Sequence, residues 1–169
     1  MSAPPLLRTL FQYHAWANDE LLDRMASLDP VQHADARHAA IRVVNHAHVV
    51  NRIFAGHLTG TPHGFNDDNT PETPALADLR AAVAESDRWY LAYLDTLTPA
   101  LLAESVPFVF TDGDKGRMTR EEMLAHVVTH NGYHRGEAGR LLAQCAVRPP
   151  RDTLAVHLHR SEPARRERG

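Results

Sequence analysis

Three histidines one helical turn apart, His126, His130 and His134, constrain this chain more than any other feature. They lie in Glu121–Gly136, a stretch that reads as a helix, and residues four apart share a helix face. Two imidazoles on adjacent turns of one face can hold a single metal ion, the spacing used by HExxH helices. The Glu that follows the first His in that protease signature is absent here. A fold built around this helix must bring at least one more ligand from elsewhere.

The totals set the frame. A chain of 169 residues suffices for one domain with a single core, read here as residues 1–160 followed by a flexible tail, 161–169. A formal net charge of -3 argues against a nucleic-acid binder. Twelve histidines justify a search for ligand spacing. Cys145 is the only cysteine, which excludes an intrachain disulfide and fits a reducing compartment. We find neither an N-terminal leader pattern nor an apolar run of the roughly 20 residues needed to span a bilayer. The chain therefore reads as soluble and cytoplasmic, without a membrane partner.

Apolar residues at spacings of three and four predict four long helices. The first covers 5–28, opened by Pro4-Pro5 and stopped by Asp29-Pro30, with His14 and Asn18 inside its apolar stripe. Those two read as satisfied interior polar groups or as groups looking into a cavity. The second covers 37–59. A polar loop, 60–73, is long for a tight connection, and its His63, Asp67 and Asp68 read as solvated. The third helix covers 74–97, with Thr73 as cap and no ligand-like residue at useful spacing. Alternation of Val106, Phe108 and Phe110 before Asp112-Gly113 predicts a short hairpin within 104–118. Thr119 and Glu122 then form a capping box that opens the fourth helix. The fold class is all-α: a four-helix bundle with a long connection between helices 2 and 3 and an extended excursion before helix 4.

Helical phase selects among the histidines. On the second helix, Val43, Ala47, Val50, Ile53, Phe54 and Leu58 define an apolar face that includes His46 and His57 and places His48 in solvent. His57 is eleven residues beyond His46, about 16 Å along the axis, so the two cannot share an ion. On the fourth, His130 and His134 fall in the middle of a stripe of Met123, Val127, Leu141 and Cys145, with His126, Tyr133 and Glu137 on its edge. His46, His130 and His134 are thus the candidate metal ligands, with His126 as a possible substitute on the fourth helix. Three His ligands leave one position of a four-coordinate ion open, the arrangement of a catalytic site. Imidazole suits zinc, nickel and iron alike.

Four segments then resemble the DinB/YfiT-like family of metal-dependent bundle proteins. These are Tyr13-His-Ala-Trp16-Ala-Asn18, His46 with Phe54 and Gly60, His126 through Gly136, and Pro149-Pro150-Arg-Asp152. The family's metal triad maps onto His46, His130 and His134. Phe54 stands where the family often has Trp, and Cys145-Ala146-Val147 lacks a glycine often found there. The resemblance implies a four-helix bundle holding a divalent ion, often as a homodimer. It also implies thiol transfer or isomerisation with bacillithiol, mycothiol or glutathione as cosubstrate.

Two enzyme readings follow. In the first, the ion activates a low-molecular-weight thiol for transfer to a small-molecule electrophile. Cys145, about 16 Å along the helix from His134, is then a buried free thiol and not the nucleophile. In the second, a hydrolase, a bound water attacks an ester or amide with Glu137 as general base. Tyr133 and Asn18 are candidates to orient ligand in either. A third reading is a non-catalytic metal- or ligand-binding module of a stress response.

Overall fold

The computed structural model describes residues 5–166, so Pro4 and the tail residues 167–169 lie outside the described part of the chain. The elements are α1 (Pro5–Ala26), α2 (Ala34–Thr59), α3 (Leu76–Leu94), α4 (Pro99–Ala103), β1 (Ser105–Val109), β2 (Lys115–Thr119), α5 (Arg120–Gln144) and α6 (Leu154–Ser161), followed by a 3₁₀ turn at Pro163–Arg165. The architecture is mostly helical. Each of the long helices α1 and α2 packs on both α3 and α5.

Local chemistry explains the boundaries. After α1, the Asp29 carboxylate accepts hydrogen bonds from the amides of Val31 and Gln32, both at 2.8 Å, which turns the chain at Pro30. Gly60 ends α2 in the left-handed region, φ 70°, with its amide donating to the last carbonyls. The expected capping box is present: the Thr119 hydroxyl accepts from the Glu122 amide, and the Glu122 carboxylate accepts from the Thr119 amide. The start of α3 differs from expectation. Its cap residue is Ala75, with extended ψ of 144° and no side-chain cap, so Thr73 and Pro74 precede the helix. Leu76, the first residue of α3 to reach the core, fixes the start.

The hairpin forms where alternation placed it, in the register Phe108↔Gly116. Gly116 is required there. A Cβ at that position would stand 2.6 Å from the Phe108 ring, which lies across the partner strand. The preceding one-turn α4, capped by Thr98, was not anticipated from the apolar pattern.

A polar layer divides the core. One apolar cluster includes Phe11, Phe54, Tyr90 and Leu124; the other includes Leu21, Met25, Ile41, Leu79 and Leu142. Between them in sequence stand buried polar residues, His14 and Asn18 on α1, Asn45 on α2, Asp87 on α3, and Asn131 and Arg135 on α5, with Asn51 one step into the first cluster. Asn131 and Asn51 exchange amide hydrogen bonds across α5 and α2, at 2.6 and 3.3 Å. The Tyr90 hydroxyl donates to the Asn51 carbonyl at 2.6 Å. Burial of this phenol raises its pKa well above the usual range. No described helix is long and apolar enough to cross a membrane.

Candidate metal centre

The α2–α5 contact brings His46, His130 and His134 together, with one nitrogen of each ring within 4.8 Å of the others. Ring centroids stand 4.6 Å apart for His46–His134, 5.1 Å for His46–His130 and 4.5 Å for His130–His134. All three side chains are half-buried. The position on α5 differs in one respect from helical phase read off the sequence. The middle of the buried stripe runs through Asn131, Arg135, Ala138 and Leu142, and the two histidines sit on its flank. A flank position suits a site that must admit a ligand.

The outer partners fix two of the rings. His46 Nδ1 donates to the backbone carbonyl of Asp68 at 2.8 Å, and His134 Nδ1 donates to the Glu137 carboxylate at 3.0 Å. Both oxygens can only accept, so Nδ1 carries a proton and Nε2 is the nitrogen left to coordinate. Metal-ligating histidines are held in this way. The third ring lacks such a partner: His130 Nδ1 is buried with no hydrogen bond. Desolvation, with the neighbouring charges of His134, His126 and His46, pushes the His130 pKa down to about 3. Two imidazoles oriented through Nδ1 and a third with a buried, unpartnered nitrogen fit a divalent cation.

The loop after α2 supplies the Asp68 carbonyl because it is strapped down. Asn45 donates to the side chains of Asn69 and Thr70, both at 2.6 Å, and Asn69 donates to the Arg42 carbonyl at 3.1 Å. The side chains of Asp67 and Asp68 are exposed, as expected of loop residues. The role of the Asp68 carbonyl has no side-chain signature and was not foreseen.

Other candidates settle elsewhere. His126 stays beside the cluster, 5.2 Å from His130, with its ring on Phe54 at 4.6 Å. Tyr133 is 73% exposed and meets His134 edge-on at 5.1 Å. Asn18 is buried in the polar layer, where it bonds to Asp87 and Arg135. His48 is a correction. It is not a solvent residue, because α2 packs on α3 as well as on α5 and this ring falls on the α3 side. Its Nδ1 is buried without a partner, and desolvation first, then Arg52, pushes its pKa down to about 4. Cys145 is half-buried at the end of α5, less enclosed than expected.

Sequence reasoning also missed the groups around Arg135. Its guanidinium donates to Asp152 at 2.7 Å and to Asn18 at 3.0 Å, and lies over the Tyr13 ring at 5.5 Å. Tyr13 bonds to Asp152 as well. Asp87 approaches His14 Nε2 at 3.2 Å and accepts from Asn18. The signal was available: Asp87 is in phase with Val83, Tyr90 and Leu94, and Arg135 with Asn131, Ala138 and Leu142.

Comparison with known proteins gives one match. A family model described as the DinB family matches residues 1–166. This chain belongs to the DinB family. No curated protein and no solved structure matches it. As a DinB-family chain it carries three histidines positioned to bind a metal ion.

Proposed function

We propose that this DinB-family protein is a metal-dependent enzyme that activates a low-molecular-weight thiol for transfer to a small electrophile. We read its four long helices as a four-helix bundle and its working form as a homodimer, both in keeping with the family resemblance. The observation that carries the metal part is the convergence of His46, His130 and His134 with oriented or unpartnered ring nitrogens. The thiol part rests on what DinB-like proteins resemble in their chemistry.

A divalent cation of the zinc, nickel or iron kind, when bound, supplies an open position and the charge that favours a thiolate. The chain's own residues do the rest. Asp68 and Glu137 hold the His46 and His134 rings in one tautomer. The Phe54 and His126 rings wall one side of the cluster. Desolvation lowers the pKa of His126 and, further, that of His130, which favours the neutral form of these two rings. Glu137 is committed to His134, which disfavours it as the free general base of a hydrolase.

The test uses protein carrying no histidine tag. Metal analysis should find about one divalent ion per chain in wild type and a small fraction of that in His46→Ala. Loaded protein should consume glutathione-type thiols in the presence of a haloarene. Thiol-independent ester cleavage would make it a hydrolase instead. Full metal with neither turnover would leave a binding module.

A further inference from the structure

A cavity of about 290 Å³ opens between α2, α3 and the start of the loop that follows α2. Arg52 and Gly56 line it from α2, His63 from the loop, and Glu85, Ser86 and Trp89 from α3. It belongs to the face of α2 turned toward α3, whereas His46 faces α5. Gly56 makes the wall possible. A Cβ there would stand 2.8 Å from the Thr61 carbonyl and 3.0 Å from the His63 Cβ, so only glycine lets the loop close on the helix.

The lining is chemically specific. Arg52 and Glu85 carry opposite charges from facing helices, and neither makes an ion pair or side-chain hydrogen bond among the described residues. Some other charges are paired: Arg80 reaches Asp19 and Asp23, and Arg120 reaches Glu104. Ser86 is only 3% exposed, and its hydroxyl has no partner. A helical serine ordinarily bonds back to a carbonyl of the preceding turn or points to water. Trp89 lies flat against Tyr93 at 5.0 Å, which holds the indole as a rigid apolar wall.

Volume and charge narrow the ligand. Small-molecule sites run from about 300 to 1,000 Å³, so this cavity takes something of amino-acid size. An anion alone would meet Glu85, and a cation alone would meet Arg52; a ligand with both charges pairs both. We propose that the cavity binds a small zwitterion of the α-amino-acid class, its carboxylate on Arg52, its ammonium on Glu85 and its apolar side chain against Trp89.

The probes are L-phenylalanine, phenylacetate, which lacks the ammonium, and phenethylamine, which lacks the carboxylate. Calorimetry on the full wild-type chain should show saturable binding of L-phenylalanine, with each single-charge probe about tenfold weaker. In Trp16→Phe protein Trp89 is the sole indole, and its fluorescence should titrate in parallel. Arg52→Gln and Glu85→Gln should each weaken L-phenylalanine about tenfold. Both side chains are exposed, so these variants keep the fold, which circular dichroism checks. No saturation with any probe, phenylacetate binding as well as L-phenylalanine, or binding unchanged in Arg52→Gln would each overturn the proposal.

Discussion

His134 and Arg135 are consecutive on α5, yet their polar atoms meet opposite fates. Arg135 is 5% exposed and surrounded by acceptors from α1 and from the segment after α5. The histidine cluster is half-buried, and one of its ring nitrogens is buried without a partner. Both sets interrupt the same apolar face. The first is a closed network that ties α1, α3 and α5 together. The second brings three ring nitrogens within 4.8 Å of one another and leaves one ring with a buried, unpartnered nitrogen. A buried polar group that is satisfied reads as structure, and one that is held in place but unsatisfied reads as a site for something else.

Removing Arg135 should produce the largest effect. Arg135→Met leaves the Asn18 carbonyl without its donor and the Asp152 carboxylate with the Tyr13 hydroxyl alone. Breaking a buried pair costs about 3–5 kcal/mol, and with Asp152 half-buried the loss belongs at the low end, near 3 kcal/mol. His130→Ala, by contrast, deletes a nitrogen that has no partner, and should cost metal-free protein about 1 kcal/mol or less. Urea unfolding of both variants in chelator measures the contrast. Equal losses would erase the distinction between the network and the cluster.

That distinction was only half legible in the sequence. The triad could be read because helical phase needs only one apolar face per helix, and His46, His130 and His134 lie on or beside it. Arg135 and Asp87 carry the same phase signal, but phase does not name the partners that make a buried charge tolerable, and those come from Asn18 and Asp152 far away in sequence. His48 escaped for a geometric reason: α2 has two buried sides, and the phase of Val43, Ala47 and Val50 reveals one. The hairpin and the capping box were legible because their signals are local. The Asp68 carbonyl was not, because a backbone acceptor has no residue type.

His48 offers a second way to separate unsatisfied from satisfied imidazoles. Its folded pKa is depressed from 6.5 to about 4, so the unfolded chain takes up a proton first as pH falls. The stability tied to neutral His48 is complete above pH 6.5 and is lost progressively as pH drops toward 4. A difference of that size corresponds to about 3 kcal/mol at most. Metal-free wild type should therefore lose more stability across this window than His48→Gln. The groups facing the ring, Arg52, Glu85 and Asp87, are retained in the variant. Equal acid sensitivity of the two proteins would show that the ring is solvated in the folded state.

A smaller effect is expected at the rim of the cluster. Glu137→Gln keeps an acceptor for His134 Nδ1 but removes the charge. Outer partners of this kind affect metal affinity by about 10–100-fold, and an exposed carboxylate belongs at the low end, near tenfold. Stability of the metal-free protein should hardly change, since an exposed pair contributes at most about 1 kcal/mol. Chelator competition gives the affinity. A Glu137→Gln variant that binds metal as tightly as wild type would reduce Glu137 to a surface charge.

The smallest effect belongs to the turn that delivers Asp152 to Arg135. Ala146 is the one non-glycine residue with positive φ among those described, at 58°. Its amide donates to Ala143 and that of Val147 to Leu142, the paired bonds of a helix end that favours glycine at this position. The left-handed conformation costs a residue with a Cβ about 1–2 kcal/mol. Glycine would relieve this and give back about 0.5–1 kcal/mol through its larger freedom in the unfolded chain. Ala146→Gly should therefore raise stability by about 0.5–1 kcal/mol, read as a higher urea midpoint with unchanged slope. Because the turn serves the closed network and not the open cluster, metal affinity should stay where it is. A change in affinity with this substitution would mean that the two regions are coupled through α5.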